Sequence, residues 1–253
     1  MNTDKAKQII QKAGLHLQTE ANPQLLAQSL GQAVAATLAS SIDKHSSASL
    51  VVSGGSTPAP VLNYLSTVDI DWSRVTVTLA DERWVPLTHA DSNEALVRST
   101  LLTEKAANAR FVSLYRNGNA DDDALRAVTQ DVASMGSPFT VVMLGMGGDG
   151  HTASLFPDAP AAELAAAMAL DTQELVAFLH PPSVGQTRIS LTRAALLRST
   201  HRFLHITGTG KLDVLHDALV QCNGDSYKTG DKPVVGLITE NPESASVFWS
   251  ASA

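Results

Sequence analysis

After His45 the chain repeats one pattern: a short apolar run, then Gly, Pro, Asp or Ser, then residues at helical spacing. Several of the runs lack polar alternation, and a strand can dispense with alternation only when both of its faces are covered. Residues 50–52, 75–79, 111–114, 139–144, 175–179, 188–191, 203–206 and 234–238 are the strand candidates. The Leu62 region and residues 93–102, 122–135 and 212–219 supply helical crossovers between them. Strand and helix alternating in this way predict an α/β fold, a three-layer α/β/α sandwich with a mostly parallel, Rossmann-like sheet. Upstream, Leu26, Leu30, Val34, Leu38 and Ile42 recur at helical spacing after Pro23, with Gln24, Gln28 and Gln32 between them, which predicts an amphipathic helix on a core. No Pro/Gly/Ser-rich linker or fixed-period repeat divides the chain, so residues 1–253 are expected to form one domain with room for a small subdomain.

Charge narrows the partner. With 18 Lys and Arg against 25 Asp and Glu, and no basic block, the chain lacks the footprint that nucleic acid or an anionic membrane demands. A small molecule is the expected partner, with no obligate protein partner and a monomer as the expected state. The single cysteine, Cys222, forms no internal disulfide, and the first 20 residues are too polar for a signal peptide, so a cytoplasmic location is expected. The Ala-rich stretch near 161–170 is too short for a membrane span and contains Glu163.

In open α/β sheets ligands bind beyond the carboxyl ends of the strands, so the residues just after each apolar run are the candidates. The first such loop is Ser53-Gly54-Gly55-Ser56-Thr57-Pro58. Two glycines admit a ligand close to the backbone, Ser56 and Thr57 offer hydroxyls, and a helix start directs free N–H groups at an anion. An ordinary capped strand-to-helix turn is the competing explanation. The second loop, Asp81-Glu82-Arg83-Trp84-Val85-Pro86, crowds two acids and an arginine at a strand end, which an ion-paired surface turn would also explain. Of these, Asp81 is the residue expected to face a cleft.

The third loop, Gly145-Met146-Gly147-Gly148-Asp149-Gly150-His151, follows residues 139–144. It satisfies G-x-G-x-x-G, but Pro157 and Pro160 interrupt the helix that a dinucleotide site requires, and Asp171 falls before the next run rather than at its end. Asp149 and His151 on a glycine-rich turn suit catalysis instead. An imidazole with an intrinsic pKa near 6.5 can take a proton from water around pH 7, and a neighbouring carboxylate can fix its tautomer. A structural histidine bonded to its turn is the alternative. Arg188 at the opening of one strand and Lys211 at a helix start complete the inventory, while Arg193, Arg198 and Arg202 are expected at the surface. His201 and His205 are four apart but fall on an expected strand with no H-E-x-x-H and no companion Cys cluster, His180 precedes Pro181-Pro182, and no G-x-S-x-G is present, so neither a metal nor a serine nucleophile is expected.

Taken together, the three loops with Ser92-Asn93-Glu94, Val97-Arg98 and Leu101-Leu102 resemble the 6-phosphogluconolactonase family, which is similar in fold to the glucosamine-6-phosphate deaminases. The resemblance implies hydrolysis of 6-phospho-D-glucono-1,5-lactone in the oxidative pentose phosphate route, without cofactor or metal. It implies His151 as general base, Asp149 as its orienting carboxylate, and Gly147 or Gly148 N–H groups as oxyanion donors. It places the phosphate on Gly54, Gly55, Ser56 and Thr57 with Arg188 and Lys211, and puts Asp81 and Arg83 on the cleft wall. Deaminases resemble His-Ile-Ala-Phe-Asn-Glu-Pro after the Gly-Asp-Gly-His core, with a carboxylate just before the proline. Here Phe156 stands there, and an apolar ring moves no protons, which disfavours amino-sugar deamination. A noncatalytic sugar-phosphate sensor would not need Asp149 and His151 together. Arg193 departs from the family pattern, where an uncharged residue is expected, and is a possible further member of the anion site.

Overall fold

The computed structural model describes residues 3–222, 227, 228 and 230–252. Among these, β1 (His16–Glu20), β2 (Ala48–Val52), β3 (Val75–Leu79), β5 (Arg110–Val112), β6 (Phe139–Leu144), β9 (Ser199–Thr207) and β10 (Ala245–Ser250) form one sheet. Its order is β1-β10-β9-β6-β2-β3-β5, and each neighbouring pair is parallel. A second sheet joins β4 (Asp81–Arg83), β8 (Arg188–Leu191) and β7 (Val176–Leu179) in antiparallel register. The helices are α1 (Thr3–Lys12), α2 (Pro23–His45), α3 (Ala59–Ser66), α4 (Asn93–Thr100), α5 (Asp122–Ala133), α6 (Ala161–Met168), α7 (Arg193–Leu197), α8 (Thr209–Gln221) and α9 (Pro233–Ile238). β2 and β6, at the centre, are buried at every position, which is why their sequences show no alternation.

Local signals start the helices. Asn22 Oδ1 accepts from Leu25 N at 2.9 Å with Pro23 in the first turn of α2, and Asp121 Oδ1 accepts from Ala124 N at 3.0 Å ahead of Asp122 and Asp123 in α5. By length and hydropathy α2 is the one described helix that meets the requirement for a membrane span. Its Leu26, Leu30, Val34 and Leu38 are nevertheless buried, α2 packs on β2, β6 and β10, and Gln24, Gln28 and Gln32 are exposed, the arrangement of a core helix.

Residues 234–238, expected as a strand, are instead helix α9. The run is buried throughout, and a fully buried run has no period to separate helix from strand; Pro233, at the first turn, sets the helical φ. The surface expectation for Arg193 and Arg202 is also overturned, since they are 3% and 1% exposed. Arg193 donates to Gly236 O at 2.9 Å and to Glu240 Oε2 at 2.9 Å, and Arg202 donates to Leu237 O at 2.8 Å and Glu240 O at 2.6 Å. They satisfy carbonyls at the carboxyl end of α9, which leaves Arg193 outside the lining of the cleft described below.

From β2 the chain moves to β3 and β5 on one side, whereas β6, β9 and β10 lie on the other. The strand order therefore reverses between β2 and β6, where an α/β sheet opens its crevice.

Candidate functional site

The loops leaving β2, β3, β6 and β9 converge on one cleft of about 340 Å³ at that reversal point. Ser53, buried at the end of β2, donates through Oγ to Met143 O at 3.2 Å and accepts from Gly145 N at 3.4 Å, joining the first loop to the one after β6. Gly54, Gly55 and Thr57 line the cleft, whereas Ser56 is exposed outside its lining. A Cβ on Gly54 would sit 1.9 Å from Asn93 Oδ1, and Gly55 has φ +96°, so the two glycines answer different needs, close approach and left-handed backbone.

The three charged residues after β3 diverge. Asp81 faces the cleft and accepts from Ser154 Oγ at 2.5 Å. Glu82 is fully buried and accepts from Asn93 N at 2.8 Å, Glu94 N at 2.7 Å and Ser92 Oγ at 3.2 Å, capping the start of α4. Burial nonetheless raises its pKa above the ordinary glutamate value, despite those donors. Arg83 donates to Asp91 O and lies directly opposite Arg188 across the β4–β8 register.

The loop after β6 is tied to itself. Gly147 N donates to His151 O at 2.8 Å, Gly150 N to Gly147 O at 3.2 Å, and Thr152 Oγ1 to Gly145 O at 2.8 Å. No helix follows directly, since α6 starts only at Ala161, so the nucleotide-type sequence does not sit on a nucleotide-type turn. Asp149 Oδ1 lies 2.6 Å from His151 Nδ1 and also accepts from His151 N at 3.1 Å. Burial alone would raise the Asp149 pKa, but the backbone N–H, charge and ring of His151 outweigh it and hold the carboxyl below its ordinary value. The far face of the imidazole is set by Phe156, stacked on it at 3.9 Å between centroids, and the Arg188 guanidinium lies 5.9 Å from that same phenyl ring. The Gly147 N–H is thus committed within the loop, and Gly148 is exposed outside the cleft lining, an arrangement unlike the expected oxyanion donors.

Cations surround the open space. Arg188 is 6% exposed, forms no ion pair among the described residues, and its Nε has no hydrogen-bond partner. Burial first, and then Arg83, depress its pKa, which Asp81, Asp91 and Glu82 only partly offset. Lys211, near the start of α8, donates to Met146 O at 2.8 Å; burial lowers its pKa and Asp149 opposes the shift. His205, weighed from the sequence only as a metal ligand, lines the cleft from β9. Its place two residues before Thr207, the last residue of β9 and also in the lining, puts both side chains on one face of the strand, which was the available signal. Among the described residues no three His, Cys, Asp or Glu side chains group as metal ligands.

A base with a fixed tautomer, beside a crevice rimmed by Arg83, Arg188 and Lys211, can direct water at an electrophile within an anionic molecule. Residues 21–249 match the family described as glucosamine-6-phosphate isomerases/6-phosphogluconolactonase. A 6-phosphogluconolactonase of Rhizobium meliloti is 39% identical over 229 residues, 90% of this chain and 96% of that protein. That of Pseudomonas aeruginosa is 43% identical over 209 residues, 82% of this chain and 86% of that protein. The crystal structure of a 6-phosphogluconolactonase from Shewanella baltica superposes with a TM-score of 0.87 at 38% identity, covering 94% of this chain and 98% of that one. With the match taking in strands β2 to β9, most of β10 and all four loops of the cleft, the chain belongs to the glucosamine-6-phosphate isomerase/6-phosphogluconolactonase family.

Proposed function

We propose that this chain hydrolyses 6-phospho-D-glucono-1,5-lactone to 6-phospho-D-gluconate, the lactone-opening step of the oxidative pentose phosphate route. The observation that carries the reading is the 2.6 Å contact between His151 Nδ1 and Asp149 Oδ1 at the edge of a cationic cleft. With Nδ1–H donated to Asp149, Nε2 is the basic nitrogen. It takes a proton from water, the hydroxide adds to C1 of the lactone, and the tetrahedral adduct breaks its C1–O5 bond as O5 receives the proton from the imidazolium. Gly54, Gly55 and Thr57 with Arg188 and Lys211 hold the phosphate, while Asp81, fixed by Ser154, accepts from sugar hydroxyls. Anchoring that distant group orients C1 toward the base. No cofactor or metal enters the scheme. The sheet of β4, β7 and β8 is the small subdomain of a single domain in this reading, and the location is cytosolic.

The test generates the lactone in situ and follows acid release above the spontaneous rate, beside an assay for ammonia from glucosamine 6-phosphate. Wild type should accelerate the first and not the second. His151→Ala should lose roughly 10²–10⁴-fold in kcat while staying folded; turnover near the wild-type rate would remove the base from the scheme.

A further inference from the structure

Among the described residues, five buried side-chain N or O atoms have no hydrogen-bond partner, and three of the five belong to residues that line the cleft: Arg188 Nε and both ring nitrogens of His205. Buried polar groups in folded proteins are nearly always paired, so a concentration of unpaired ones at one place marks where a ligand belongs. Arg188 already has that role in the proposed lactonase reaction. His205 does not. It is 4% exposed, on β9, beneath the loop after β2. The residue also lines a void of about 10 Å³ with Ser53, Thr57 and Gly145, too small for more than a single water. A larger partner therefore reaches the ring from the cleft side.

We infer that His205 is a phosphate-binding residue of this site, its ring N–H donating to a phosphoryl oxygen held by the Gly54–Thr57 loop and its other nitrogen accepting from a hydroxyl of that loop or of the ligand. The inference rests on the lactonase reading only for the identity of the phosphorylated molecule. Three features favour a phosphoryl oxygen over a sugar hydroxyl. The ring lies under the glycine loop, Lys211 lines the same cleft, and Thr207 extends the same face of β9 toward it. Burial also keeps the imidazole neutral at physiological pH, with its pKa pushed down to about 4. A neutral ring always has one donor, so the contact does not depend on ambient pH, unlike one made by an exposed histidine. Leaving two nitrogens unpaired is unfavourable in the free protein, and the ligand relieves that.

The decisive comparison is His205→Leu against wild type and His205→Gln, the last retaining a donor and an acceptor. A lost hydrogen bond to a charged group predicts a rise of about tenfold to hundredfold in KM for the phosphorylated lactone in His205→Leu. In that variant kcat should stay within about threefold, and KM for unphosphorylated glucono-1,5-lactone should stay at the wild-type value. The thermal shift produced by inorganic phosphate should shrink, while Tm without phosphate is equal or higher; His205→Gln should recover most of the phosphate effect. In wild type, the ring ¹⁵N resonances of His205 should move on addition of inorganic phosphate. An unchanged KM and phosphate shift, an equal loss on both lactones, or still ¹⁵N resonances would each overturn the assignment. Should wild type bind phosphate through His205 yet fail to open the lactone, the lactonase reading falls and this one stands.

Discussion

Adjacent glycines in the loop after β6 offer a test in which one added methyl group should disable the site and its neighbour should not. A Cβ built on Gly147 lies 2.2 Å from His151 Nδ1 and Cε1 and 2.5 Å from Asp149 Oδ1. Favourable carbon contacts begin near 3.5 Å, so the ring and the carboxylate must each retreat by roughly 1 Å. Both are side-chain ends on a surface loop, and Gly147 does not have a positive φ, so the displacement requires no backbone rearrangement and stability should change little. The dyad, by contrast, depends on the 2.6 Å contact that the methyl group would occupy. A misplacement of about 1 Å costs on the order of 10²-fold, and full loss of a positioned general base on the order of 10²–10⁴-fold, so Gly147→Ala should lower kcat by at least about 10²-fold. A Cβ on Gly148 meets nothing within 4 Å, and Gly148→Ala should stay within about twofold of wild type. Acid release corrected for spontaneous hydrolysis, with Tm for each variant, reads both effects. Equal activity of the two variants would refute the claim that Gly147 exists to let the imidazole fold over its own loop.

Two further outcomes follow from the charges. Arg188→Ala should raise KM for the phosphorylated lactone far more than for the unphosphorylated one, because its buried guanidinium has no ion-pair partner among the described residues; equal losses would argue against a phosphate contact. In the folded chain the His205 pKa is pushed down to about 4, while an unfolded histidine titrates near 6.5. The unfolded state therefore binds the proton first, and stability is lost as pH falls from about 6.5 to about 4, with no further change below. By pH 5 the loss attributable to this ring is about 2 kcal/mol. The stability difference between wild type and His205→Leu in urea denaturation should move by that amount between pH 7.5 and pH 5, and a constant difference would contradict it.

Where the sequence is read correctly, each element is legible because its own residues decide it. Residues 75–79, 139–144 and 188–191 end as strands where their turn residues begin, and α2 follows its stripe from Leu26 to Ile42. The three loops reach one cleft because strand ends share one edge of a parallel sheet. What escapes the sequence depends on partners instead. β1 reads as polar because it is an edge strand with little of its surface buried, and β4 has three residues. Glu82 looks like Asp81 and Arg83 on paper, yet it turns inward to cap α4, because the N-terminus of that helix lies eleven residues along the chain. The errors over residues 234–238 and over Arg193 and Arg202 are a single error. A short, wholly buried helix leaves carbonyls that water cannot reach, and the two guanidiniums are buried to supply those donors.

The same bookkeeping of donors separates function from structure inside the cleft. Ser53, Glu82 and one bond from Lys211 hold separate segments of the cleft to one another, the Gly147 N–H closes its own loop, and each has its partner within the chain. Arg188 Nε and the two nitrogens of His205 have none among the described residues, although both residues are buried. A chain selected for stability alone would have filled those positions with apolar side chains, since an unpaired buried polar group costs about 1–3 kcal/mol. In the proposed roles, keeping them raises the energy of the empty cleft relative to the occupied one, and so would turn lost stability into differential affinity for an anion. It follows that apolar replacement at His205 should move unliganded stability and phosphate affinity in opposite directions, a pairing that a histidine serving only the core cannot produce.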